Sequence, residues 1–141
     1  MIKSEIQSLF PTPVYMTDIN RKLTNKELSF VEEQKKYCHN NKGNINTIDN
    51  YILNNLEFKQ IKKFLEKCCD DYLQKVICPK NNLKLRITQS WLNYTEENQY
   101  HHLHEHPNSF VSGVFYINAD KKNDRIKFYK RDYERIKIEE V

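Results

Sequence analysis

Residues 91–118 read WLNYTEENQYHHLHEHPNSFVSGVFYIN, and the fold turns on how this stretch is taken. It begins inside an alternating segment that starts at Leu83, where apolar and polar residues change places at each step to Thr88 and on through Gln89, Trp91 and Asn93. Side chains on a strand face opposite ways in turn, so this period of two predicts a half-buried strand. Residues 110–117 predict a second strand, with Ser112 and Gly113 inside it. Between the two lie four of the five histidines, His101, His102, His104 and His106; the fifth is His39.

Imidazole is a common ligand for iron, zinc, copper and nickel, so four histidines within six positions point to a metal. The competing reading is a polar surface loop. In an extended chain His102, His104 and His106 share one side. At a rise of about 3.3 Å per residue, ligands two apart are separated by roughly 6.6 Å, and His102 and His106 by about 13 Å. Neighbouring members of the trio can therefore share an ion with bonds of about 2.1 Å, while all three cannot unless the chain bends sharply. A third ligand is expected from elsewhere in the fold. Glu105 points away from its neighbours and is a secondary candidate.

Working outward, Thr24-Asn25-Lys26-Glu27 fits a capping box and predicts a helix that buries Leu28, Val31 and Tyr37. Asn40 to Asn50, rich in asparagine and holding Gly43, predicts a loop. Phe58, Ile61, Leu65, Cys68, Tyr72 and Val76 recur at three- and four-residue steps, which predicts a second helix packing on a sheet. Cys78-Pro79 should end it, because a residue before proline is pushed out of helical geometry. Pro11 and Pro13 make the segment Leu9 to Tyr15 an edge strand or an extended arm. Residues 125–129 and 135–138 predict two further short strands. Helices first and antiparallel strands afterwards give an α+β chain with helices on one side of a sheet or barrel.

The chain has 141 residues, which suits a single domain. Lysine and arginine number 23 against 19 acids, interspersed rather than blocked, which argues against a nucleic-acid surface. No apolar run approaches the ~20 residues needed to span a bilayer. The four cysteines form no Cys-x-x-Cys pair and are expected to be free thiols in a reducing cytoplasm.

His104-Glu105-His106-Pro107 followed by Ser112-Gly113-Val114-Phe115-Tyr116-Ile117-Asn118 resembles the Fe(II)- and 2-oxoglutarate-dependent oxygenases, of the kind common in phages and marine bacteria. Trp91 to Tyr94 and the opening Leu9 to Tyr15 resemble the same family. The likeness runs over nearly the whole chain and is specific from Trp91 to Asn118. It implies a double-stranded β-helix (a jelly roll) with buttressing helices. On this reading residues 1–141 form one domain, with the arm and helices over 1–80 and the first part of the β-helix over 83–141. It also implies hydroxylation of a C–H bond with Fe(II) and 2-oxoglutarate as cofactors. His104 falls at the first metal ligand, and His106 stands where many relatives carry a carboxylate. Tyr116 matches a tyrosine that hydrogen-bonds the distal carboxylate of 2-oxoglutarate, and Asn93 and Ser112 are weaker candidates for the same pocket.

The family pattern also asks for a later histidine and an arginine for 2-oxoglutarate. No histidine follows His106, and Arg125, Arg131 and Arg135 lie outside the expected strand context. The expectations are then a truncated gene product, the amino-terminal piece of a split protein, or a repurposed domain, with truncation preferred and weak or no activity for the chain alone. Exposed sheet edges would favour a homodimer or a complementing chain. The hydroxylation substrate is not named by the sequence. The alternatives are a non-catalytic metal-binding or interaction module and, more weakly, a cupin-type enzyme, whose glutamate would fall where Phe110 and Val111 stand.

Overall fold

Thr24 opens the first helix as its sequence demands. Its side chain accepts from the Glu27 amide at 3.2 Å, and the Glu27 carboxylate takes the Thr24 amide at 2.7 Å. Helix α1 runs Asn25–Gln34 and continues into a 3₁₀ turn, Lys35–Tyr37. These elements belong to a computed structural model that describes residues 2–5 and 11–129.

The buried face of α1 is Glu27, Phe30 and Val31, a three-and-four spacing. Leu28 and Tyr37, expected inside, are exposed. The face is set by Glu27, which periodicity alone assigns to solvent. Arg21 grips its carboxylate with both guanidinium nitrogens, at 2.6 and 2.8 Å, so the charge is paired where it is buried. Rotating α1 to bury Leu28 would strip Glu27 of that pairing.

Strands β1 (Cys38–Asn40), β2 (Ile45–Thr47) and β3 (Asn93–Tyr94) form one antiparallel sheet in the order β1-β2-β3. The loop expected over Asn40 to Asn50 is thus a hairpin, its turn closed by the Asn41 amide on the Asn44 carbonyl at 2.8 Å. Two 3₁₀ turns, Ile52–Asn54 and Leu56–Phe58, lead into helix α2, Lys59–Tyr72. A π-helical turn, Leu73–Ile77, extends α2 as far as Cys78, which adopts the left-handed conformation at φ 47°. The expected stop before Pro79 is where the helix ends.

Phe58 and Ile61 are each about 1% exposed and Leu73 2%, while Leu65, Cys68, Tyr72 and Val76 are half-buried. The core therefore gathers at the start of α2. Its main partners are the two 3₁₀ turns and not, as expected, the sheet; the Phe58 ring meets Phe30 of α1 edge-on at 5.0 Å. The arm from Pro11 has no regular secondary structure and meets α2 through the Tyr15 hydroxyl, which donates to Asp71 at 2.8 Å.

The mixed helix-and-sheet class agrees with expectation, but the strand content is smaller. Residues 83–88, 110–117 and 125–129 are not strands, and among the described residues they find no ladder partner. Alternation supplies a face, but a strand also needs a neighbour to take its amides and carbonyls. Among the described residues, Ser90 is bridged to Tyr51 and Asn93-Tyr94 pair with β2. The segments Leu9-Phe10 and 135–138 lie outside the described residues. The chain divides into two compact units, one ending at Glu105 and the other beginning at His106. No helix among the described residues is long and apolar enough to cross a membrane.

Candidate metal centre

The histidine run leaves the first unit's sheet along a fixed path. Thr47, fully buried in β2, accepts the Leu92 amide on its hydroxyl at 3.1 Å and donates that hydroxyl to the Asp49 carbonyl at 3.0 Å. Tyr94 in β3 donates its hydroxyl to the Val31 carbonyl of α1 at 2.6 Å, and its burial pushes the phenol pKa up. Beyond β3 the hairpin turn takes over. Asn44 donates to the Thr95 hydroxyl at 3.2 Å, and the Tyr100 amide reaches the Gly43 carbonyl at 3.1 Å. Gly43 sits at φ +94°, and a Cβ there would run into the Tyr100 carbonyl oxygen and stand 3.0 Å from its ring. A glycine is required at that point by both conformation and space. The next residue along is His101.

His101, His102 and His104 converge. One ligand nitrogen from each lies within 4.8 Å of the other two. The His101 and His104 rings stack at 4.6 Å and 15°, and His102 lies 4.9 Å from His104 and 5.4 Å from His101. This differs from the alternation of 102, 104 and 106 expected of an extended chain. The segment turns, and a turning chain brings residues three apart together. The adjacent pair His101-His102 is the signal that could have pointed to it.

One hydrogen bond sets a tautomer. Nδ1 of His104 lies 2.8 Å from the His102 carbonyl oxygen, which can only accept, so Nδ1 carries the proton and Nε2 the lone pair. Such a donation from the far ring nitrogen is the usual support of a metal-ligating histidine. In the second unit Nδ1 of His106 lies 2.9 Å from the Ser112 hydroxyl, which can donate or accept, so this contact orients the ring without setting its tautomer.

The other expected site residues are placed as follows. His104 belongs to the first unit and His106 to the second. Ser112 supports His106, and Tyr116 is 54% exposed in the second unit. Asn93 lies in β3 opposite Asn46, in the first unit. Arg125 is exposed, while Arg131 and Arg135 lie outside the described residues. All four cysteines are free, and burial pushes the Cys38, Cys68 and Cys69 thiols up, which keeps them protonated and poor ligands. Two open surface hollows, one on α1 around Glu32 and one around Arg21 and Phe64, include no histidine.

In the first unit His101, His102 and His104 offer three imidazole nitrogens, a donor set for a borderline divalent metal such as iron or zinc. Residues 89–140 match the family model described as "Putative 2OG-Fe(II) oxygenase". No curated protein and no solved structure matches the chain.

Proposed function

We propose that the chain carries the metal-binding portion of a 2-oxoglutarate- and Fe(II)-dependent hydroxylase, with His104 and His106 as iron ligands. The observation that supports this most directly is shared by the two members of the His-x-His pair. Each has its Nδ1 engaged by a nearby oxygen, which orients the ring and makes Nε2 the candidate ligand atom. Imidazole donors suit Fe(II), so these residues fit the metal. With imidazole where relatives have a carboxylate, the site lacks one negative charge, and weaker retention of Fe(II) follows. Tyr116, half-exposed with a phenol able to donate, suits a carboxylate of 2-oxoglutarate, and Asn93 is a further contact residue on this reading.

When bound, iron and 2-oxoglutarate together supply an oxidant able to hydroxylate a C–H bond. The chain's own part is to orient the ligand imidazoles and the co-substrate. No histidine follows His106 in this sequence and no arginine for 2-oxoglutarate is identified, so turnover by the chain alone is expected to be weak. Free thiols and the lack of a spanning helix among the described residues are compatible with the cytoplasm.

The test is an anaerobic titration of the full chain with Fe(II), followed by 2-oxoglutarate, read by the visible absorption of an Fe(II)–2-oxo acid chelate. We expect the absorption in the unaltered chain and its loss in H106A. Iron binding without any response to 2-oxoglutarate would leave a metal-binding module and overturn the oxygenase reading. Robust succinate release would overturn the expectation of weak turnover.

A further inference from the structure

We infer that His101, His102 and His104 form a second metal site, selective for zinc-like divalent ions, that lies wholly within the first unit and competes with iron for His104. Three observations carry it. The ligand nitrogens of the three rings lie within 4.8 Å of one another, and among the described residues no other group of three histidines, cysteines or acids comes so close. Ligands on one tetrahedral ion with bonds of about 2.1 Å stand ~3.4 Å apart, so modest ring rotations close the cluster. His101 and His104 are exposed.

The second observation is Nδ1 of His102, which is buried and has no hydrogen-bond partner. A buried polar atom left unpaired is costly, and an ion in the cluster would give its lone pair an acceptor. The third is the tautomer of His104, fixed by its bond to the His102 carbonyl. One cluster residue thus orients another. Gly43 and Tyr100 hold the entry to the segment, so the three rings start from a defined place.

Three neutral imidazoles with a fourth position open to water suit Zn²⁺. Divalent zinc binds nitrogen sites more tightly than Fe²⁺ as a rule, so where both ions are present zinc takes the shared His104. The cluster itself does not rest on the oxygenase reading, because His106 and the second unit have no part in it; only the competition with iron for His104 does.

The experiment titrates the full chain with Zn²⁺ by calorimetry and with Co²⁺ by visible absorption, using the unaltered chain, the double variant H101A/H102A, and H106A. We expect H101A/H102A to lose more than about a hundredfold in Zn²⁺ affinity, beyond what loss of an outer-shell partner costs. H106A should stay within about threefold, with the intense visible bands of tetrahedral Co²⁺ retained. In histidine-ring NMR, Zn²⁺ should shift the signals of His101, His102 and His104 together. If H106A abolishes binding and H101A/H102A does not, the cluster proposal falls and the iron-pair reading stands. If the unaltered chain binds neither ion, the cluster proposal falls outright. Circular dichroism of each variant checks that the fold is kept, as expected for side chains at this surface.

Discussion

Glu27 shows what one residue decides. It is 3% exposed, and its carboxyl is held down to about 2 from an ordinary 4.5, first by the Arg21 guanidinium and then by the Thr24 amide and hydroxyl. Because the folded value lies below the unfolded one, the group stabilises the fold above about pH 4.5, and that contribution is lost as pH falls towards 2. We expect E27Q to cost about 1–2 kcal/mol at neutral pH, the range for a helix cap with a charge-assisted bond. The difference should shrink as pH falls through about 2, where the Glu27 carboxyl takes up its proton in the folded state. Urea titrations at the two pH values check this, and an equal loss at both would show that charge is not the cause. The capping box was legible in Thr24 and Glu27, since its partners are local. The buried face of α1 was not, because Arg21 had to be seen in place before an acid could be put inside.

Among elements, the pairing of β2 with β3 sets the starting point of the histidine run. Thr47 is its pin, a fully buried hydroxyl shared between the Leu92 amide and the Asp49 carbonyl. Thr47→Val keeps the shape and leaves the Leu92 N–H without that acceptor. We expect a loss of about 2 kcal/mol, within the usual cost of a buried unsatisfied donor. Hydrogen exchange should accelerate at Leu92 ahead of the α2 amides; unchanged protection there would mean that Thr47 is a filler only. Helix α2 was readable from period alone, including its end at Cys78, because periodicity and the proline rule act within one segment. Its partner was not readable. The sequence suggests an apolar face, and whether turns or strands cover it is settled by chain paths remote in sequence.

For the whole molecule, the second unit leaves an unusual surface. Phe110, Val114 and Tyr116 are exposed at alternating positions, as are Ile126 and Phe128. Side chains in this state suit pairing with another chain, and we propose a second copy of this chain as the partner. Sedimentation velocity should show apparent mass rising with concentration, and V114S/F128S should reduce the rise. A single monomeric species throughout the micromolar range would rule this out. The sequence by itself determined the two helices and the α+β class, since periodicity and caps are properties of short segments. Only the tertiary structure decided which histidines meet. Extended geometry favours His102, His104 and His106, whereas the turn held by Gly43 and Tyr100 brings His101, His102 and His104 together, because the direction of a loop is fixed by contacts that its own residues do not encode.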